Sequence, residues 1–169
     1  MLTETLPRDV SMGRMRHVLG RYEGESASDY YADFKASDRA MADLELRRMS
    51  ALSENLLGAI DYEAARRRRN ENYAVLERLL GPRNPLPLTA PEGPYAYPFY
   101  CRNGMEVKKR LADRKIFVPT LWPDVLELEG TREKDYAANI LPLPCDQRYD
   151  ASDMERVAEE VEKCEREAE

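Results

Sequence analysis

The stretch GPRNPLPLTAPEGP, residues 81–94, constrains this chain more than any other. It holds five of the eleven prolines and two glycines. Proline lacks a backbone donor and clashes with the preceding helical turn, so no helix or central strand crosses such a segment. It is a connector, and the patterns on its two sides differ. Before it, apolar residues recur at helical spacing. After it, short aromatic and aliphatic runs alternate with helical ones.

Upstream, residues 1–38 are polar and weakly patterned, with Gly13, Gly20 and Gly24 interrupting helical runs. Met12, Met15 and Leu19 suggest one small helix, and 21–30 reads as loop. A helix is expected over 38–57 from the spacing of Met41, Leu44, Leu52 and Leu56, with Ser50 and Ser53 as a possible break. A second helix is expected over 61–80. Asp61 can cap it and Glu63 suits the positive end of its dipole. Gly81 and Pro82 are expected to end it, with Gly81 at C′.

Downstream, YAYPFYC (95–101), IFVPTLW (116–122) and ILPLP (140–144) read as three short strands. GMEVKKRLADRK (104–115) reads as a helix with Met105, Val107, Lys108 and Leu111 on one side. EGTREKDYAAN reads as a loop or helical turn. Ser152 and Glu155 form an expected capping box, followed by the apolar repeat Met154, Val157, Ala158, Val161 and Cys164. The expected fold is therefore α/β (α+β). A loose segment and helical arm (1–60) precede a compact unit (61–169) with a three-stranded sheet covered by helices.

Composition excludes several chemistries. The net charge is −6, which argues against nucleic acid as the main partner. The run Arg66–Arg69 is flanked by Glu63 and Glu71 and reads first as a solvated helix face, with a phosphate or interface role as the alternative. No apolar run approaches the roughly 18 residues of a membrane span, and MLTETLPRDV has no apolar leader core. A cytoplasmic, reduced protein is expected. Three cysteines and one histidine offer neither a disulfide framework nor a zinc set. No G-x-G-x-x-G, P-loop, G-x-S-x-G or H-E-x-x-H is present.

Four blocks occur in a meaningful order: ELRRMSALSENLLGAIDYEAARRRRNENYAVL, YPFYC, VKKRLADRKIFVPTLWPDV and ILPLPCDQRYDASDMERVAEEV. Together, over about residues 38–163, they resemble the C-terminal portion of the DegT/DnrJ/StrS aminotransferases. These are pyridoxal-phosphate enzymes of fold type I, many of which act on nucleotide-linked keto sugars. The resemblance implies a small C-terminal domain. It also implies that the cofactor lysine, the acid on the pyridinium nitrogen and the ring stacked on pyridoxal all lie upstream of the matching region.

None of Lys35, Lys108, Lys109, Lys115, Lys134 and Lys163 stands in the family's lysine context, and all sit in charged, solvent-like patterns. Pyridoxal phosphate is thus expected in the complete family enzyme and not on this chain alone, where activity is not expected. The resemblance places Arg48 near a partner subunit's cofactor phosphate, with Leu46 where the companion asparagine would be. Arg47 and Arg48 as exposed helix charges are the alternative. It also offers Arg148 to an anionic group of the substrate, since a guanidinium fork suits carboxylate or phosphate. A surface pair with Asp146 or Asp150 is the alternative. The expected partner is a second copy or a complementary cofactor-domain chain. A rival reading makes the chain a non-catalytic dimerisation module.

Overall fold

The computed structural model describes residues 6–24 and 26–168. The first five residues of MLTETLPRDV lie outside the described residues. The chain folds as two units, Met1–Ile60 and Asp61–Glu169. The fold is mixed helix and strand with one antiparallel pair of strands, an α+β arrangement.

The first unit contains helices α1 (Met12–Glu23), α2 (Tyr31–Met41) and α3 (Ala51–Gly58), with a 3-10 turn at Ala27–Tyr30. Gly20 does not interrupt α1. A Cβ there would stand 2.2 Å from the Tyr30 ring, so glycine is what lets that ring pack on the helix. The expected helix over 38–57 divides in two. α2 ends at Met41 and α3 starts after Ser50, whose side chain accepts from the Ser53 amide at 3.0 Å. A serine at an N-cap satisfies an orphan donor and favours a helix start. Among the described residues of this unit, Ser11 and Ser50 are the buried ones, hydroxyl to hydroxyl at 2.5 Å.

The second unit begins with helix α4 (Tyr62–Leu80). Asp61 caps it by accepting from the Ala64 amide at 2.9 Å. Tyr73, Leu76 and Leu80 are its buried apolar positions. Gly81 does not stop the helix in a left-handed C′ conformation. It stays right-handed, and the chain tightens into a 3-10 turn, Gly81–Arg83.

The connector is pinned back along α4 rather than hanging free. Glu92 pairs with Arg66 at 3.4 Å, the Gly93 amide donates to Asn70 Oδ1 at 2.8 Å, and the Pro94 carbonyl accepts from Arg69 at 3.4 Å.

Strand β1 (Ala96–Tyr100) then pairs with β2 (Ile140–Pro144). Tyr97 lies opposite Leu143 and Phe99 opposite Leu141, and all four are buried on one face. Pro98 lies opposite Pro142, and Pro144 opposite Ala96. Hydrogen-bonded and non-bonded pairs alternate along an antiparallel ladder. The next pair outward, Cys101 and Asn139, is bonded at 2.9 Å, so all three prolines fall in non-bonded positions and remove no ladder bond.

Between the strands run α5 (Gly104–Asp113), a 3-10 turn (Pro123–Glu127) and α6 (Arg132–Asn139), and α7 (Ala151–Ala168) follows β2. Helices α4, α5 and α7 close the core over Tyr97, Phe99, Leu141 and Leu143. A Cβ on Gly104 would lie 2.6 Å from the Ala138 carbonyl oxygen and the Asn139 Cα, so α5 seats on the end of α6 only with glycine there.

Two further expectations are corrected. The sheet of the described residues has two strands, not three. Residues 116–122 alternate in burial like a strand, with Ile116 inside and Phe117 outside. They are bracketed by left-handed residues, Lys115 (φ 64°) and Trp122 (φ 51°), and Pro119 removes a donor. The cap of α7 also lies two residues before the expected box. Asp150 accepts from the amides of Ser152 and Asp153 at 2.9 and 3.2 Å, and Asp153 accepts from the Asp150 amide at 3.1 Å. Aspartate caps as well as serine, and the reciprocal bond completes the box.

Candidate functional site

The second face of the β1–β2 pair carries a polar cleft that contains Arg148. Its floor is Ala96, Pro142 and Pro144, the residues that alternate with the core-facing ones. Tyr95 and Phe117 stand at its sides, and Arg69, Asp146, Gln147 and Arg148 complete it, enclosing about 380 Å³. Phe117 is 72% exposed, which is unusual for a ring beside a packed sheet.

The turn that delivers Arg148 is held from beneath by α4. Asn72 is 1% exposed. Its Nδ2 donates to the carbonyls of Asp146 and Tyr149, both at 3.0 Å, and more weakly to that of Cys145 at 3.4 Å. Three carbonyl oxygens converging on one amide nitrogen fix which end of the side chain points at the turn. One turn earlier on the helix, Arg69 donates Nε to Gln147 Oε1 at 2.7 Å and a terminal nitrogen to the Pro94 carbonyl. It thereby ties the Tyr95 wall of the cleft to the Arg148 wall. Arg69 is therefore not a solvated charge. Its neighbours Arg66 and Arg68 do pair with Glu63 and Glu71 on the helix surface.

Arg148 itself is 73% exposed at its side chain and forks onto Asp146, Nε to Oδ1 at 2.8 Å and Nη2 to Oδ2 at 2.9 Å. The Arg148 amide also donates to Asp146 Oδ1. These bonds hold the Asp146 carboxyl below the usual carboxylate range. The guanidinium lies over the Tyr149 ring at 5.4 Å. A guanidinium has five N–H groups, and Asp146 takes two of them.

Arg48 lies in the first unit. Its Nε donates to the Leu6 carbonyl at 2.9 Å, its amide to the Pro7 carbonyl, and its carbonyl accepts from the Asp9 amide. It is exposed, as is Leu46, and Arg47 lies 4.0 Å from Glu45.

Pyridoxal phosphate needs a lysine at the bottom of a pocket, with a partner acid. Five lysines follow the expected solvent-like pattern. Lys108 departs from it, at 7% exposed. Burial lowers its pKa, yet its Nζ is engaged by the Ala137 carbonyl at 3.3 Å and the Thr120 hydroxyl at 3.5 Å. It ties α5 to the last turn of α6, where a cation suits the carbonyl end of the helix. No lysine lines the Arg148 cleft. The residues of this chain do not fit a covalently held cofactor.

Among the described residues no group of His, Cys, Asp and Glu is arranged to hold a metal, and no helix is long and apolar enough to cross a membrane. Cys101, Cys145 and Cys164 are buried free thiols. Burial pushes those of Cys101 and Cys145 up to about 11, well away from reactive thiolates.

No family model, curated protein or solved structure matches the chain.

Asn72, Tyr95 and Phe117 belong to the candidate cleft or its support and carry no motif in the sequence, and Arg69 stands out there only as part of the basic run. Arg69 was hidden inside a basic run, and Asn72 is a polar residue on the buried side of a helical stripe, the one local signal that could have marked it.

Proposed function

We propose that residues 61–169 act as the substrate-facing small domain of an aminotransferase-like protein of fold type I, whose cofactor lysine resides outside these residues. In the complete enzyme the reaction is amino transfer to a keto sugar or similar carbonyl compound. The chain alone does not transaminate. The observation that carries this is the Arg148 turn. A buried asparagine and a bridging arginine hold it in one geometry, and they present a guanidinium beside two exposed rings.

Such preorganisation is what a ligand-binding turn requires and a plain surface loop does not. The chain's own part is to bind and orient. Arg148 would hold an anionic group, Tyr95 and Phe117 would cover an apolar or ring portion, and Arg48 would serve a cofactor phosphate across a dimer.

The test mixes the purified chain with pyridoxal phosphate, alone and with a cofactor-domain chain from a related aminotransferase. No borohydride-sensitive aldimine band is expected from the chain alone. Amino-transfer activity that falls when Arg148→Ala is introduced is expected from the mixture. An aldimine on this chain by itself would contradict the proposal.

The first unit favours a second reading, a non-catalytic dimerisation module. None of the helices α1, α2 and α3 buries a residue, while Met41, Leu46, Met49, Leu52, Leu56 and Ile60 are all exposed. Apolar surface of this density marks an interaction site. Light scattering separates the readings, since a well-behaved monomer at all concentrations would remove the module.

A further inference from the structure

A second cavity lies at the opposite end of the same sheet face, and the Arg148 cleft does not share its walls. Leu121, Trp122 and Val125 form one side, and Tyr136, Ala137 and Ile140 form the other, enclosing about 320 Å³. Its wall is almost wholly carbon, and Glu133 is the one ionisable carboxylate along it. The Tyr136 hydroxyl is already engaged, accepting from Arg132 Nη2 at 2.7 Å and Nε at 3.1 Å.

Trp122 is the feature that needs an explanation. It holds φ 51° and ψ 60°, left-handed, directly before Pro123. A bulky side chain rarely adopts that region, and a following proline disfavours it further. Such strain persists where surrounding structure enforces it, often at ligand clamps. Its effect here is to keep the indole at the rim, 74% exposed, instead of letting it collapse into the cavity it borders. A large apolar ring kept in water beside an apolar hollow is an unfinished contact.

We propose that this cavity binds a small uncharged aromatic ring, stacked between Trp122 and the Tyr136–Ala137 wall. The volume suits one or two rings at the lower end of small-molecule sites. Aromatic rings stack or meet edge to face with a gain beyond simple burial. The wall carries the Glu133 carboxylate and no cation, so an anionic group would meet no partner there and would lose its hydration on entry. This inference stands apart from the aminotransferase reading, because none of its residues lines the Arg148 cleft.

Trp122 is the single tryptophan of the chain, so its fluorescence reports on this site directly. The experiment titrates the full chain with benzyl alcohol under selective tryptophan excitation, with benzoate as the charged control. A saturable blue shift is expected with benzyl alcohol, and at least tenfold weaker binding with benzoate. Ala137→Leu fills the hollow and is expected to weaken benzyl alcohol at least tenfold while leaving the circular dichroism unchanged.

The proposal is overturned if the native chain shows no saturable shift, if benzoate binds equally well, or if folded Ala137→Leu responds as the native chain does. Should Ala137→Leu unfold, magnetisation transfer between benzyl alcohol and the Trp122 and Tyr136 ring protons of the native chain decides the matter. Transfer confined to those rings supports the site, and transfer absent or spread over the surface removes it.

Discussion

Replacing Asn72 by alanine strips the one side-chain donor, among the described residues, that meets the carbonyls of Cys145, Asp146 and Tyr149 at the base of the Arg148 turn. The Asp146 carbonyl keeps its bond from the Tyr149 amide, while leaving a buried carbonyl unsatisfied costs about 1–3 kcal/mol, so Asn72→Ala is expected to lower the urea unfolding free energy by about 1–2 kcal/mol. Asn72→Asp is expected to cost more, because it aims a carboxylate at the same carbonyl oxygens.

Asp146 supplies a pH signature. Its folded carboxyl is held low by the Arg148 hydrogen bonds. A depressed carboxylate contributes stability above its unfolded value of about 4 and loses it as pH falls through the folded value. Stability should therefore decline on the acid side, and Asp146→Asn should flatten that limb in a series of urea midpoints across the carboxylate range. The Arg148 side is solvent-exposed, so the amplitude should be small.

At this scale the sequence displayed Arg148, Asp146 and Gln147 side by side. It could not display Asn72, because nothing local says which buried polar residue meets a turn more than seventy positions away.

Among the elements, α5 makes the sharpest prediction. Gly104→Ala would force a methyl group into the Ala138–Asn139 backbone. Backbone cannot give way as a flexible side chain can, and overpacking costs about 1–3 kcal/mol. A loss in that range, read by thermal or urea unfolding, is expected with α5 detaching from α6.

The helices with both a cap and an apolar stripe, α4 and α7, were legible in advance because two independent local signals agree there. The segment 116–122 misled for the opposite reason. Its alternation is real, with Ile116 buried and Val118 packed on the core. Alternation reports which side chains point inward, and it is silent on whether a neighbouring backbone is there to pair. The left-handed bends at Lys115 and Trp122 leave no local signature, since neither position is glycine or asparagine. The cap of α7 shows a smaller limit of the same kind. Asp150 and Ser152 are both competent caps, and their spacing alone does not choose between them.

For the whole molecule, the apolar core runs from Tyr73 to Cys164 and lies entirely in the Asp61–Glu169 unit. A fragment comprising residues 61–169 is expected to keep one cooperative unfolding transition, with a urea midpoint close to that of the full chain. Amides of α1, α2 and α3 are expected to exchange with solvent far faster than those of α4 and α7, because helices that bury no side chain open at little cost. The buried apolar positions gather after residue 60, in the second unit. The sheet's second face, with its cleft and its apolar cavity, was not legible, because it is assembled from separate stretches between Arg69 and Arg148.

The central claim is that Arg148 in this cleft receives the anionic part of a substrate. It is tested most directly by titrating isotope-labelled chain with a uridine-diphosphate-linked hexose and following the amide and side-chain resonances. The expected result is a set of saturable shifts confined to Tyr95, Phe117, Gln147 and Arg148, with affinity at least tenfold lower in Arg148→Ala. Binding that ignores the Arg148 substitution, or shifts that leave the cleft untouched, would contradict the account.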